Sequence, residues 1–213
     1  MRDKILLYSG GMDSTVLLHQ YSDSIRLAVC FQYGSKHNHQ EKKYAELNCK
    51  KLGVEFKVVN IDLVGMGLES SLLTSGDKIP HGHYTHKSMI STVVPFRNGI
   101  MLSIAAGIAE TLNCKSILIS NHAGDHAIYP DCREGFISAI SSAISNGTYN
   151  NINVIAPFTN DTKRDVAIIG KGIGVDFSNT YSCYEGMESH CGKCGTCIER
   201  KEALEGFDDT VYA

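Results

Sequence analysis

The sequence has no large excess of charge of either sign. Among its 213 residues, 20 lysine and arginine side chains stand against 23 aspartate and glutamate side chains, giving a formal net charge of -3. This balance offers nucleic acid or an anionic membrane no overall attraction, so any phosphate site has to be local. We therefore expect no direct nucleic acid partner.

Long apolar runs and an export signal are also lacking. No uncharged run approaches the length of about 18 residues that a membrane span requires, and the charged start Met1-Arg2-Asp3-Lys4 leads into a short predicted strand. We expect a cytoplasmic protein with no membrane partner. Hydrophobic residues make up 43% and charged residues 20% of the chain, which is typical of a folded protein.

Two common nucleotide-binding motifs are absent. Neither the Walker A pattern G-x-x-x-x-G-K-[ST] nor the dinucleotide pattern G-x-G-x-x-G occurs, which disfavours a P-loop NTPase and a dinucleotide-binding Rossmann enzyme. Internal repeats and low-complexity tracts are missing as well. With about 150 residues per typical domain, the length fits one compact domain with a small appendage.

Apolar runs alternate with helical patterns along most of the chain. Strands are predicted at 4–8, 25–33, 55–61, 116–121 and 152–156. Helices are predicted after Asp13 and Ser14, which supply cap chemistry, and at 40–52, 98–112, 134–145 and 162–170. This alternation predicts an α/β fold with an open parallel sheet and helices on both faces. The aperiodic segment 62–94 predicts a mobile loop or lid.

A glycine pair lies between the first predicted strand and helix, in Ser9-Gly10-Gly11-Met12-Asp13-Ser14. Backbone N–H groups of such a loop can wrap a phosphate, and the following helix N-terminus adds favourable dipole charge. A Gly-Gly pair also serves as an ordinary strand-to-helix turn, so both interpretations stay open on this motif alone.

Four cysteines near the C-terminus have the spacing C-x7-C-x2-C-x2-C: Cys183, Cys191, Cys194 and Cys197. Four thiolates in short loops favour a structural, tetrahedral zinc site, and an iron–sulfur cluster is the alternative for this ligand set. Because no export signal is present, we expect reduced thiols rather than disulfides. His190 is a competing ligand but is expected to be a solvent-exposed neighbour.

Three further segments carry polar groups at predicted element ends. Arg97 can grip phosphate or carboxylate oxygens, and Asn98 can cap the following helix or bind a ligand. Segment 121–133 follows the fourth strand and carries acids, histidines, a tyrosine and an arginine, so it predicts substrate recognition or a solvated loop in which Asp131 caps the next helix. Lys163 opens a late helix and can reach phosphate or serve as a surface charge.

A possible second metal site is suggested by the H-x-H-x2-H spacing of His81, His83 and His86. No carboxylate partner lies nearby in sequence. A solvated loop is therefore favoured over a metal site.

Together these motifs resemble the 7-cyano-7-deazaguanine synthases (preQ0 synthases), a family of the N-type ATP pyrophosphatase superfamily. SGGMDS resembles the superfamily's SGGxDS loop, and FQYG with His37 resembles the YGQxH segment. VPFRN, YPDCR and SCY…CGKCGTC resemble the VPxRN box, the GYPDCR box and the zinc signature, so the likeness spans nearly the whole chain. Ala127-Ile128 depart from a common Ser-Gly, and Tyr181 from a common Trp.

The resemblance implies a Rossmann-like, adenine nucleotide alpha hydrolase-like domain over 1–176 and a zinc-binding segment over 177–213. It implies ATP-dependent conversion of 7-carboxy-7-deazaguanine and ammonia into the 7-cyano compound, through an acyl adenylate and an amide, in queuosine or related deazaguanine biosynthesis. The implied cofactors are structural Zn2+ and ATP with Mg2+, and the implied assembly is a homodimer.

Other functions stay open at this stage. A related ligase could adenylate the same carboxylate but stop at the amide, or pass the acyl group to a protein amine. A tRNA-thiolating relative is disfavoured because a zinc site would use the clustered cysteines and no basic patch is evident. A nucleotide-binding, zinc-stabilised regulatory module without turnover is the alternative from a different class.

The resemblance also implies site residues. Asp13, Arg97 and Lys163 are the implied catalytic groups, with Asp13 acting through Mg2+. The implied ATP-binding residues are Tyr8, Ser9, Gly10, Gly11, Met12, Asp13, Ser14, Thr15, Val16, Leu17 and Leu18. The implied substrate-binding residues are Tyr33, His37, Arg97, Asn98, Asp125, Tyr129, Asp131 and Arg133. The implied zinc ligands are Cys183, Cys191, Cys194 and Cys197.

Overall fold

Five parallel strands form one sheet in a computed structural model that describes residues 1–83 and 86–213. The strands are β1 (Lys4–Leu7), β2 (Ile25–Gln32), β3 (Phe56–Asn60), β4 (Ser116–Leu118) and β5 (Asn153–Ile155). Their order across the sheet is β3-β2-β1-β4-β5, and each neighbouring pair is parallel. This confirms the predicted open parallel sheet.

Helices cover both faces of this sheet. They are α1 (Met12–Tyr21), α2 (Asn38–Leu52), α3 (Arg97–Thr111), α4 (Glu134–Gly147), α5 (Lys163–Gly172) and α6 (Gly195–Ala203). Successive β1 residues point to opposite faces, so Ile5 enters the hydrophobic cluster that includes α3 while Leu6 enters the cluster that includes α1 and α5. Burial on both faces explains why the strands are apolar runs without alternation.

The start of α1 differs from the prediction. Gly11 is its N-cap, and no side chain caps the helix. Ser14 instead donates its hydroxyl to Gly11 O at 3.2 Å and lies 3.1 Å from Ser9 Oγ. The prediction that Asp13 and Ser14 cap this helix was therefore wrong, and the Asp13 carboxylate is left to interact with other elements.

Strand β4 ends earlier than expected because the chain turns away from the sheet. Ile119 N still donates to Ile155 O, but Asn121 then donates its side-chain amide to Cys132 O at 2.7 Å. Segment 62–94 has little regular structure in its described part beyond a 3-10 turn at Lys87–Thr92. Residues 84 and 85 of the predicted lid lie outside the described residues.

One helical stretch of the described chain, Lys87–Thr111, is long and apolar enough by length and composition to cross a membrane. Half of its most apolar window is buried inside the protein. Its α3 portion contacts β1 and β4, as expected for a helix of a hydrophobic core.

We predict that Gly10 tolerates alanine much less well than Gly53. Both residues have positive φ, 79° and 62°, but a Cβ at Gly10 would lie 2.6 Å from Glu41 O whereas Gly53 has nothing within 4 Å. The left-handed backbone alone should cost Gly53→Ala about 1 kcal/mol. The added close approach should bring the loss for Gly10→Ala to about 3 kcal/mol in urea unfolding. Equal losses would contradict the close packing of α2 on this loop.

Candidate active site

A cleft opens at the carboxyl ends of the central strands. The chain runs from β1 outward to β3 and then crosses back to β4, so β1 and β4 flank the point at which ligands bind in open α/β sheets. Among the residues implied for the site, those lining the cleft are Tyr8, Ser9, Gly11, Met12, Asp13, Ser14, Tyr33, His37, Arg97, Asn98, Asp125 and Lys163.

Lys163 lies at the centre of a group of charges in this cleft. Its Nζ is 3.2 Å from Asp13 Oδ2 and 3.0 Å from Glu199 Oε2, and it is 3.3 Å from His122 Nε2. The lysine side chain is only 10% exposed. Lys163 is thus not a solvated surface charge, and it joins the Ser9–Ser14 segment to α6.

The charged side chains in this group shift one another's pKa values. Burial is the largest influence and would raise the pKa of Asp13, but the charge of Lys163 and the hydrogen bonds that Asp13 accepts together hold that pKa below its usual value. Burial would lower the pKa of Lys163, but Asp13, Glu199 and Asp125 together raise it. Near neutral pH the site therefore holds a charged ammonium group in contact with carboxylates.

Arg97 occupies a different position in the cleft. Its Nη1 donates to Tyr33 Oη at 3.1 Å, and the guanidinium lies 5.7 Å from the centre of the Tyr33 ring. Within the described residues, no carboxylate oxygen lies within 4.0 Å of this guanidinium. The charge of Arg97 is therefore available to an anionic ligand.

His37 and Glu41 form the wall beside Arg97. The His37 ring packs against Tyr184 with centroids 5.3 Å apart, and burial, followed by the charge of Arg97, lowers the His37 pKa to about 3. Burial raises the pKa of Glu41 to about 7, with Arg97 acting in the opposite direction. Sequence reasoning missed Glu41, although it follows His37 by one helical turn and so lies on the same face of α2.

Segment 121–133 reaches the cleft only in part. Asp125 lines it, but Tyr129, Asp131 and Arg133 do not. Tyr129 Oη contacts Thr92 Oγ1 at 2.9 Å, and Arg133 Nε donates to His126 O at 2.9 Å. Substrate reading by these residues stays a prediction.

Asp131 caps α3, which sequence reasoning did not foresee. Its Oδ2 accepts from Asn98 N at 2.8 Å, and Asn98 Nδ2 donates to Asp131 O at 3.2 Å. Asn98 is therefore not the cap of its own helix, and Asp131 does not cap the helix that follows it.

The stretch implied for ATP binding divides between cleft and core. Thr15 contacts Tyr8 Oη through its Oγ1 at 3.0 Å, and the next three residues are fully buried. These three residues, Val16, Leu17 and Leu18, pack in the hydrophobic cluster of α1 and α5. They support the loop from behind rather than lining the cleft.

The four cysteine sulfurs lie within 4.8 Å of one another, and all four residues are buried. Two zinc–sulfur bonds of about 2.3 Å at a tetrahedral angle separate the sulfurs by about 3.8 Å. Cys191 Sγ and Cys197 Sγ are 3.9 Å apart, which fits that geometry. Backbone N–H groups of Lys193 and Cys194 point to Cys191 Sγ at 3.4 and 3.3 Å, as suits a thiolate. The donor set therefore fits zinc with every position filled by protein.

Histidines near this cluster have other partners. His190 is buried rather than exposed, because its Nε2 accepts from Ser182 N at 3.1 Å and its ring packs on Tyr181 and Tyr212. His81 and His83 lie 3.3 and 3.5 Å from Glu185 and Glu202, carboxylates that are remote in sequence. Among the described residues, the four cysteines form the group that could hold a metal.

The sheet, the loop-to-helix cleft and the cysteine cluster define an open parallel α/β protein with an attached four-cysteine site that fits zinc. A solved structure of NMN synthetase from Francisella tularensis has a similar fold, with a TM-score of 0.52 and 13% identity over 99% of this chain and 79% of that one. The family model "Queuosine biosynthesis protein QueC" matches residues 3–208, and the chain belongs to that family.

Two curated relatives agree with this family. A "7-cyano-7-deazaguanine synthase" of Porphyromonas gingivalis is 51% identical, over 99% of this chain and 97% of that protein. A "7-cyano-7-deazaguanine synthase" of Desulfotalea psychrophila is 46% identical, over 100% of this chain and 99% of that protein. The chain therefore matches such relatives over essentially their whole length.

We predict that the protein binds one zinc ion and that Cys197→Ser loses it. Replacing one of four thiolates by a hydroxyl removes a soft ligand from a closed site. Elemental analysis should find zinc in the unmodified protein and in Cys114→Ser, a buried cysteine outside the cluster. Iron with visible absorbance would contradict the zinc assignment and favour an iron–sulfur cluster.

We also predict that Lys163→Met lowers the free energy of unfolding by about 3 kcal/mol, because it leaves buried Asp13 and Glu199 without their cation. Adding Glu199→Gln should recover part of that loss, since it removes one of the unpaired charges. Lys50→Met, at an exposed position on α2, should change stability little. Urea unfolding measures all three, and a full additive loss in the double variant would contradict the coupling.

Proposed function

We propose that the chain is a 7-cyano-7-deazaguanine synthase that uses ATP and Mg2+ to convert 7-carboxy-7-deazaguanine and ammonia into the nitrile. Family membership over residues 3–208 carries this proposal. The cleft supports it, because the SGGMDS loop, Lys163 and Arg97 line one space. The nitrile is used in the biosynthesis of queuosine or a related deazaguanine.

Adenylation is the chemistry that the carboxylate requires. A carboxylate is a poor electrophile because oxide would have to leave. Attack of its oxygen on the α-phosphorus of ATP expels pyrophosphate and forms an acyl adenylate, from which AMP can leave. Ammonia then attacks the acyl carbon to give the amide. The amide oxygen then attacks the α-phosphorus of a second ATP and expels pyrophosphate, and loss of AMP and a proton from the adenylated amide gives the nitrile.

The residues of the cleft divide this work by charge. The backbone of Ser9–Ser14 receives the pyrophosphate end of ATP, beside Lys163 and Asp13. Mg2+, when bound with ATP, neutralises phosphate oxygens, and Asp13 is the carboxylate that would hold it. Arg97 offsets charge on the α-phosphate or on the substrate carboxylate. Such fixed electrostatic groups contribute most when charge develops in the transition state.

The deazaguanine is assigned to the other side of the cleft. Asp125 is a candidate acceptor for the guanine-like N1–H and amino group, because it lines the cleft and is a carboxylate. Tyr129, Asp131 and Arg133 support that loop from outside the cleft. Tyr33 and His37 bound the space beside Arg97. A homodimer in the cytoplasm, without direct contact to nucleic acid, completes the proposal.

We expect purified protein incubated with ATP, Mg2+, ammonium and 7-carboxy-7-deazaguanine to form 7-cyano-7-deazaguanine, AMP and pyrophosphate. Mass spectrometry measures these products. Asp13→Ala should lower turnover by about 10² or more while zinc content stays unchanged. Amide as the end product would favour a ligase that stops at the amide. Near-normal turnover in Asp13→Ala would contradict the role of the loop.

A further inference from the structure

The first turn of α2 forms a wall of the cleft that adenylation leaves without a chemical role. His37, its N-cap, and Glu41 stand in an i,i+4 relation, and both line the cleft. This turn packs directly on the phosphate loop, because a Cβ at Gly10 would lie 2.6 Å from Glu41 O. The backbone of Glu41 therefore packs on the Ser9–Ser14 loop, and its side chain lines the same cleft as that loop.

Glu41 is a buried carboxyl group without a directly bound cation. Its Oε2 accepts from Asn38 Nδ2 at 3.3 Å, and its Oε1 lies 3.7 Å from His37 Nε2. The side chain is only 16% exposed, and within the described residues no lysine or arginine nitrogen lies within 4.0 Å of it. Arg97 on α3 acts on Glu41 through its charge but forms no ion pair with it.

His37 adds a buried ring nitrogen on the same turn of α2. The residue is 3% exposed, and its Nδ1 is buried without a hydrogen-bond partner among the described residues. A buried nitrogen of this kind costs free energy unless a ligand satisfies it. The polar groups near this corner from other elements include Arg97 on α3, Tyr33 after β2 and Tyr184 from the C-terminal segment. The thiol groups of Cys30 on β2 and Cys194 also lie close enough to act on Glu41 and His37, respectively.

The amide-forming step needs a proton acceptor. Ammonia in neutral water is mostly ammonium, which has no lone pair and cannot attack the acyl carbon. The cleft has to exclude bulk water, because water would hydrolyse the adenylate. The ammonium ion therefore has to lose one proton to a group inside the cleft. Because burial raises the pKa of Glu41 to about 7, this carboxyl group can take and release a proton near neutral pH.

We propose that Glu41 and His37 form the ammonium subsite of this cleft and that the Glu41 carboxylate takes the proton that frees the attacking nitrogen. The inference rests on the proposed function. Ammonium binds between the carboxylate and the ring nitrogen, and one N–H proton passes to Glu41. The freed lone pair forms the C–N bond, the C–O bond to AMP breaks, and a second nitrogen proton leaves to solvent as the amide forms.

The test compares Glu41→Gln with Glu46→Gln, which changes an exposed glutamate of the same helix. Glutamine keeps an oxygen that can accept from Asn38 but cannot take a proton. We expect kcat/KM for ammonium to fall by about 10² in Glu41→Gln and to stay unchanged in Glu46→Gln. ATP–pyrophosphate exchange dependent on 7-carboxy-7-deazaguanine, which reports adenylation alone, should stay within about twofold in both.

Hydroxylamine provides a second readout, since at neutral pH it is largely unprotonated and needs no proton acceptor before attack. Glu41→Gln should form the hydroxamate at close to the wild-type rate. His37→Gln should raise KM for ammonium. An unchanged kcat/KM for ammonium in Glu41→Gln, or an equal loss with hydroxylamine and ammonium, would overturn the subsite. Absence of exchange in the wild-type protein would instead refute the proposed function.

Discussion

The ion pair of Lys163 with Asp13 and Glu199 is the interaction on which the rest of the cleft depends. Asp13 lies in the first turn of α1, Lys163 begins α5, and Glu199 lies on the helix that starts inside the cysteine cluster. A buried ammonium group is stable only while carboxylates surround it, and each carboxylate needs the ammonium in turn. These ion pairs therefore fix the positions of α1, α5 and α6 relative to one another beside the Ser9–Ser14 segment.

This constraint gives the zinc site a consequence beyond local stability. Short helices such as α6 are marginal by themselves, and the cluster holds the first turn of α6 through Cys194 and Cys197. Arg200 then fixes the other side of that turn, donating to Phe177 O at 2.6 Å and to Thr180 Oγ1 at 2.9 Å. Zinc therefore acts on the cleft indirectly, by fixing the helix that presents Glu199 to Lys163.

The sequence predicted the local features, but it did not predict contacts between residues that are far apart along the chain. The strands follow from apolar runs, and the cysteine cluster follows from spacing, because both are short-range patterns. Glu199 was not foreseen, since its partner Lys163 is 36 residues away and no periodicity predicts that approach. The cap that Asp131 provides to α3 was missed for the same reason, because Asp131 is 33 residues away from Asn98. Glu41 was within reach, because helical spacing from His37 places it on the same face.

The two cations of the cleft are thus suited to different tasks. Lys163 is paired before any ligand arrives, so its charge is largely balanced and its main effect is to keep the loop and its own position fixed. Arg97 donates to the Tyr33 hydroxyl and lies over the Tyr33 ring, and among the described residues it forms no ion pair. An anion that enters the cleft gains more from Arg97 than from Lys163, because Lys163 must first share its hydrogen bonds with two carboxylates. Lys163 therefore ties α1, α5 and α6 together at the cleft, whereas Arg97 keeps a charge that no ion pair among the described residues balances.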